Sequence, residues 1–223
     1  VRRPWLALVT TGAEVVPVEQ EPGPGEIRDA NGPLLVAAAG EGGFEVLSRL
    51  SAPDDPARVR EQIERALDQA ELVLVTGGVS VGDHDHVPAA VRDLGGHVLL
   101  HRLAIKPGRP LLVARFGVRW LLGLPGNPLS CLVCWRLFGR PLAEALAGDR
   151  HAFDEAPCPV ELAEDVINEE ERIWLRPAVL EGPRNVRRVR PLGWKGSHDL
   201  ASCAPADALI RIEPAAVHRA GEH

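Results

Sequence analysis

The residues best suited to chemistry form a glycine-rich run, Thr76-Gly77-Gly78-Val79-Ser80-Val81-Gly82-Asp83-His84-Asp85. It follows residues 71–76, whose Leu-Val-Leu-Val core reads as a buried strand. It precedes a segment that reads as a helix over 87–94. Backbone amides exposed by glycines at such a turn form a concave anion site, and the helix dipole adds a favourable field. Thr76 and Ser80 add hydroxyl donors. Asp83 and Asp85 suit an anion only where a divalent cation bridges carboxylate and phosphate, as magnesium commonly does. The same residues also suit an ordinary tight turn with solvated acids. The run matches neither the Walker A loop nor GxGxxG, so the standard nucleotide loops are excluded.

Lys106-Pro107-Gly108-Arg109-Pro110 sets two cations on a turn stiffened by prolines. A stiff turn loses less entropy when it clamps an anion. Asn127-Pro128 reads as the cap and first residue of a helix, with Ser130 in its first turn. Free amides there could receive an oxyanion, though a well-capped helix explains the pattern equally. Arg172 and Arg176 bracket Ile173-Trp174-Leu175, and Gly196-Ser197-His198 is a glycine-serine turn. An arginine and a turn hydroxyl suffice to hold a small tetrahedral oxyanion. His84 and His86 would share a face of an extended segment but have no third ligand in view, so they read as surface or helix-start histidines. Cys131 and Cys134 sit in an apolar helical run and read as core residues; Cys158 and Cys203 are isolated. Arg184, Arg187, Arg188 and Arg190 read as a solvated strand face. The five tryptophans read as core or interface residues.

The elements that must position these groups alternate. Strands are expected at residues 5–10, 44–50, 71–76, 98–105, 111–114 and 120–122. Helices are expected from Asn31 to about Gly40, after Pro53-Asp54-Asp55-Pro56, over 87–94, and from Pro128 to near Gly148. Val59, Ile63, Ala66 and Leu67 fall on one helical face. The pattern predicts an α/β fold, a mainly parallel sheet with helices on both faces. Ligands bind such sheets outside the carboxyl ends of the strands, and the candidate motifs lie in loops there. From residue 151 short apolar runs at 160–166, 173–180, 186–189 and 208–212 carry no helical pattern. This predicts an α/β domain over residues 1–150 and a small all-β domain over 151–223, with the boundary near 149–157.

The 223 residues are enough for one medium and one small domain. A 45% hydrophobic and 25% charged composition is that of a globular protein. No apolar run approaches a membrane span. A net charge of −6 excludes a global field that would recruit nucleic acid. Four cysteines make no disulfide framework at this size, which fits a reducing, cytoplasmic setting. There is no methionine, so the start at Val1 reads as a fragment or processed chain whose upstream sequence is missing.

Taken in order, Thr10-Thr11-Gly12-Ala13-Glu14, Asp54-Asp55-Pro56, the Thr76–Asp83 run, Lys106-Pro107-Gly108-Arg109-Pro110, Gly123-Leu124-Pro125-Gly126-Asn127-Pro128 and Gly196-Ser197-His198 resemble the molybdopterin molybdenumtransferases, the MoeA and gephyrin E-domain family. The resemblance covers nearly the whole chain. It implies a molybdopterin-binding α/β domain followed by a small barrel-like β domain, without the family's two N-terminal domains. It implies a homodimer, adenylylated molybdopterin and molybdate as substrates, magnesium as cofactor, and a molybdopterin adenylyltransferase as functional partner. In the family's reaction the adenylyl group is hydrolysed away and molybdenum is inserted at the dithiolene. Glu14, Asp54 and Asp85 match acids lining the pterin site, with Asp54 and Asp85 as metal ligands. Lys106, Arg109, Ser130, Arg176 and Ser197 match the molybdate region, and Arg102 falls where some members carry a further lysine. Asp54, Asp85, Lys106 and Arg176 take the catalytic roles. Thr76, Gly77, Gly78, Ser80, Gly82, Pro125, Asn127 and Pro128 complete the substrate contacts. Ala13 replaces the usual Asp, His86 a common Tyr, and Ala204-Pro205-Ala206-Asp207 the common Ala-Asn-Gly/Ala stretch. Arg109 replaces a frequent Lys and keeps its charge. Other readings of the shared features are a molybdopterin adenylyltransferase, a non-enzymatic molybdopterin-binding scaffold, and a related pyrophosphatase.

Overall fold

The computed structural model describes residues 2–80, 85–154, 158–183 and 187–222. Strand β1 (Leu6–Thr11) is buried along its whole length. A short parallel pair follows, β2 (Val15–Val16) with β3 (Ile27–Arg28). The chain continues through α1 (Asn31–Glu41), β4 (Val46–Ala52), α2 (Pro56–Gln69), β5 (Leu72–Thr76) and α3 (Val87–Asp93). Next come β6 (His97–His101), β7 (Ile105–Lys106), β8 (Leu112–Phe116) and β9 (Arg119–Leu124). Helix α4 (Pro128–Cys134) leads through a π-helical turn, Trp135–Gly139, into α5 (Arg140–Leu146).

Six strands form one sheet in the order β4-β1-β5-β9-β8-β6. The first four run parallel; β8 and β6 complete the sheet antiparallel. Strand side chains alternate between faces, and the sequence uses the alternation to sort residues by shape. Ala7, Val9, Val73 and Val75 pack under α2 and α3. Leu6, Leu8, Leu72 and Leu74 pack under α1, α4 and α5. Both faces are therefore covered, as the continuous apolar runs require. Helix α2 has the cleanest origin. Asp55 is its N-cap, accepting from the Arg58 amide at 2.8 Å, Pro56 follows at the first helical position, and Val59, Ile63, Ala66 and Leu67 are buried.

Several elements differ from expectation. The strand expected over 98–105 is two pieces, because Arg102 takes φ 69° and turns β7 out of the large sheet. The helix expected from Pro128 onward is interrupted at the π turn. Pro141 has no amide hydrogen for the residue-137 carbonyl, and Gly139 lies so near the Trp135 ring that a Cβ would sit 2.3 Å from it. Asn31 is not a cap. Ala30 occupies that position, and Asp29 Oδ1 instead accepts from the Gly32 amide at 2.8 Å.

Beyond residue 158 the strands are β10 (Glu161–Leu162), β11 (Val166–Ile167), β12 (Ile173–Glu181), β13 (Arg188–Pro191), β14 (Ala208–Ile212) and β15 (Val217–His218). One short helix, α6 (Leu200–Cys203), stands where none was expected; Asp199 Oδ1 accepts from the Ser202 amide at its start. The main ladder runs β10-β13-β12-β14, with its own core around Leu162, Val166, Ala178, Val189 and Ile212. Strand β7 joins it by pairing parallel with β12, Ile105 opposite Ile173 and Lys106 opposite Trp174. Leu129 and Val133 of α4 pack with Leu175 and Cys203 on the same side. The C-terminal strands thus hold the Lys106 turn and the start of α4 together.

Leu74 lies in the sheet centre with no exposed surface. Leu74→Ala is expected to lower unfolding free energy by about 2–5 kcal/mol, read from urea denaturation.

Candidate functional site

Parallel pairing sets the carboxyl ends of β4, β1, β5 and β9 side by side. The path after β1 leads to α1 on one face, and the path after β5 leads to α3 on the other. A crevice opens where neighbouring strands diverge in this way. At that edge lies a cavity of about 860 Å³.

The crevice floor depends on backbone contact that only glycine permits. Gly77 and Gly78 have φ 83° and 62°. A Cβ on Gly77 would lie 2.8 Å from the Thr11 carbonyl oxygen. Thr11 Oγ1 donates to the Thr76 carbonyl at 3.1 Å, and the Gly77 amide donates to the Leu124 carbonyl at 3.1 Å. The exits of β1, β5 and β9 are thereby tied together. Residues 81–84, including the expected contact Gly82 and the histidine His84, lie outside the described residues. His86 stands at the N-cap position of α3, as a helix-start histidine.

The second wall is the Lys106 turn. Its Lys106-Pro107 bond is cis. Gly108, at φ 111°, meets helix α4: a Cβ there would lie 2.8 Å from Cys134 Sγ, whose thiol donates to the Gly108 carbonyl at 3.5 Å. Burial pushes the Cys134 thiol up to about 12 and raises Cys131 as well, so both stay protonated. The Cys-x-x-Cys pair is core, as its apolar setting predicts, and Cys134 also props the turn. From the C-terminal strands, Ser197 is held by Asn127, whose Nδ2 donates to Ser197 Oγ at 2.8 Å. The Leu129 amide donates to the Ser197 carbonyl at 3.0 Å. Asn127 therefore bridges to the turn at Ser197 and makes no side-chain cap.

Of the expected residues, Glu14, Asp54, Asp85, Thr76, Gly77, Gly78, Ser80, Lys106, Arg109, Pro125, Asn127, Pro128, Ser130 and Ser197 all line this cavity. Arg102 and Arg176 do not. Arg102 is exposed, and Arg176 Nε donates to the Leu192 carbonyl at 3.3 Å. Arg172 lines the cavity instead. It precedes β12, whose pairing with β7 brings it beside the Lys106 turn. Arg28, Asp29, Asn31 and Trp194, to which the sequence reading gives no site role, are also among the lining residues. Asp29 pairs with Arg49 at 3.6 Å and accepts from Thr10 Oγ1 at 3.4 Å. Asn31 Nδ2 donates to the Gly126 carbonyl at 2.7 Å, while its Oδ1 and Thr76 Oγ1 are buried without a hydrogen-bond partner. The Asp-x-x-Gly spacing at 29–32 was the one local signal that could have flagged Asp29.

Apart from Arg28, which is paired with Glu21 at 2.7 Å, charge divides the cavity by origin. Glu14, Asp29, Asp54 and Asp85 come from the loops around β1, β4 and β5. Lys106, Arg109 and Arg172 come from the side joined to the C-terminal strands. Lys106 is bonded to Glu170 Oε1, and Arg172 donates to Glu170 Oε2 at 2.6 Å. The Lys106 ammonium also lies 5.0 Å from the Trp174 ring centre. The hydrogen bond from Lys106, assisted by that from Arg172 and opposed by burial, holds the Glu170 carboxyl below its ordinary value. Among the described residues, no three His, Cys, Asp or Glu side chains gather in a metal-holding group.

Residues 7–145 match a family described as "Probable molybdopterin binding domain", and residues 159–223 match the "MoeA C-terminal region (domain IV)". The chain belongs to the MoeA family. It is 31% identical over 211 residues to a molybdopterin molybdenumtransferase of Staphylococcus epidermidis, covering 95% of this chain and 50% of that protein. A molybdopterin molybdenumtransferase of Nostoc sp. is 37% identical over 150 residues, covering 66% of this chain and 34% of the relative. The solved structure of a molybdopterin biosynthesis MoeA protein from Pyrococcus horikosii superposes with a TM-score of 0.80 at 31% identity, covering 99% of this chain and 52% of that one. The chain spans about half the length of the MoeA-family relatives it matches.

Two outcomes follow from the site's burial and charge. In the native MoeA-family chain, a thiol reagent should label Cys158, which is exposed, and reach buried Cys131, Cys134 and Cys203 only after denaturation. Rapid labelling of Cys134 would contradict its place behind the turn. The Glu170 carboxyl, lowered in the folded state, stabilises fully above its unfolded value and loses that contribution as pH falls through its folded one. Glu170→Gln should therefore be less stable than wild type near neutral pH, with the gap closing in acid as the pH falls through the folded-state value. Urea midpoints at neutral and acid pH test this.

Proposed function

We propose that this chain binds adenylylated molybdopterin and molybdate, and that within a full-length protein it inserts molybdenum as a molybdopterin molybdenumtransferase. The observation that carries this reading is the convergence of two differently charged walls on one cavity. The glycine turn at Gly77 and Gly78, with Thr76 and Ser80, takes the phosphate end of the pterin. Glu14 accepts from donors on the pterin edge. Lys106, Arg109 and Arg172, with the hydroxyls of Ser130 and Ser197, take the tetrahedral dianion, which needs cations and hydroxyl donors. Arg176 acts one step back, holding the Leu192 carbonyl and so the segment that carries Ser197.

Magnesium fits in a limited way. Asp54 and Asp85 line the cavity, and magnesium is commonly held by one or two carboxylates together with substrate phosphate oxygens. These two residues would hold it, and when bound it neutralises phosphate charge. The chain's own residues position the reacting groups, hold the oxyanion and stabilise developing charge; no side-chain nucleophile is required. A homodimer, a cytoplasmic location and an adenylyltransferase partner belong to the same proposal. Among the described residues no helix is long and apolar enough to cross a membrane. The Lys106 turn and the C-terminal strands favour this reading over an adenylyltransferase, because they supply the cationic wall.

Isothermal titration with sodium molybdate tests the assignment. Arg172→Ala and Ser197→Ala should each weaken binding, Arg172→Ala by roughly tenfold or more, the value of one charge-assisted hydrogen bond. Arg176→Ala should have the smaller effect of the two arginine variants. Equal affinity in wild type, Arg172→Ala and Ser197→Ala would refute the molybdate site.

A further inference from the structure

We propose that Glu170 is a built-in competitor for the oxyanion: its carboxylate holds Lys106 and Arg172 until a tetrahedral dianion displaces it. The inference rests on the reading of the cationic wall as an oxyanion site and adds a residue that sets its affinity. Both cations line the cavity, and both are bonded to Glu170, each through a different oxygen. A carboxylate offers two oxygens to a cation pair, as one edge of a tetrahedral oxyanion does. Glu170 itself does not line the cavity, so it competes with such an anion for the two cations and not for the space. It also leaves the two cations and itself with a net charge of only +1.

The loop is built to present this carboxylate. Asn168 is 1% exposed, and its side chain is fully engaged locally. Its Nδ2 donates to the carbonyls of Arg172 at 2.8 Å and Glu213 at 2.9 Å. Its Oδ1 accepts from the Glu170 amide at 3.0 Å. The Ala215 amide donates to the Glu170 carbonyl at 3.1 Å. The backbone is pinned while the Glu170 side chain remains 32% exposed. That exposure decides between a fixed and a displaceable ion. A carboxylate with water access can leave its partners and be rehydrated, whereas a fully buried one cannot without a large desolvation imbalance. The Lys106 ammonium keeps its seat over Trp174 when Glu170 departs.

The alternative is a plain clip between β7 and the C-terminal strands, with no bearing on anions. Both roles cost stability in Glu170→Gln, but only competition improves anion binding. Calorimetric titration with sodium tungstate, with sodium sulfate as a second tetrahedral dianion, separates them. Competition predicts that Glu170→Gln binds tungstate roughly fivefold more tightly than wild type, the worth of a partly exposed ion pair. Unchanged or weaker binding in the folded variant overturns the proposal. Should the variant not fold, the wild type decides: saturating tungstate should shift the ¹³Cδ resonance of Glu170 as its carboxylate leaves both cations, and an unmoved resonance overturns the proposal. Wild type that binds tungstate with an unaltered variant defeats only the competition. Absence of tungstate binding in both proteins defeats the oxyanion site itself.

Discussion

Burial of the large sheet on both faces is the constraint from which the site follows. Strands β1 and β5 have no solvent-facing side, so each residue between their ends must be apolar. Polar groups are admitted only where the strands stop. Thr10, Thr11 and Thr76 stand there, followed at once by Gly12 and by Gly77. The parallel register aligns these exits, and the opposite directions taken after β1 and β5 open the crevice between them. Gly77 then lets one exit touch the backbone of the next, closer than any side chain would allow.

The cavity gains its cationic wall from a different source. Lys106 leaves the large sheet because Arg102 turns the chain, and β7 pairs with β12. Helix α4 braces this arrangement from behind through Cys134, and Asn127 fastens Ser197 to the start of the same helix. Acidic loops and basic turn thus belong to different sheets. A ligand with a phosphate and a separate oxyanion is matched by such a divided surface better than a ligand with one charge. Glu170 tempers two cations of the basic half, Lys106 and Arg172.

Much of the fold was legible in the sequence. The apolar runs of β1 and β5 gave buried strands, the spacing of Val59, Ile63, Ala66 and Leu67 gave α2, and the ordered loop motifs gave most of the cavity lining. The misplacements share a cause. Asn31 has the residue type of a cap but bonds to Gly126, 95 positions away. Asn127 does stand at the N-cap of α4, as its sequence context predicts, yet its side chain reaches Ser197, 70 positions away. In both cases a distant acceptor for Nδ2 competes with local capping to orient the side chain, and the side-chain oxygen makes no capping bond. The break between β6 and β7 reflects the same competition, since the pull toward β12 has no trace in local periodicity. The π turn alone had a local signal, in Pro141.

The sequence by itself determined which segments are strands and helices, which turns carry glycine, and the order of motifs that marks the family. These depend on residue type and on neighbours within one element. Only the tertiary structure decided which cations share the cavity. Arg172 precedes β12 and Arg176 lies within it, and the register of β7 against β12 brings the first to the cavity while the second serves a backbone carbonyl. The same pairing sets Glu170 against Lys106 across 64 positions of chain. No local pattern encodes that meeting, because it arises from the docking of two separately built sheets.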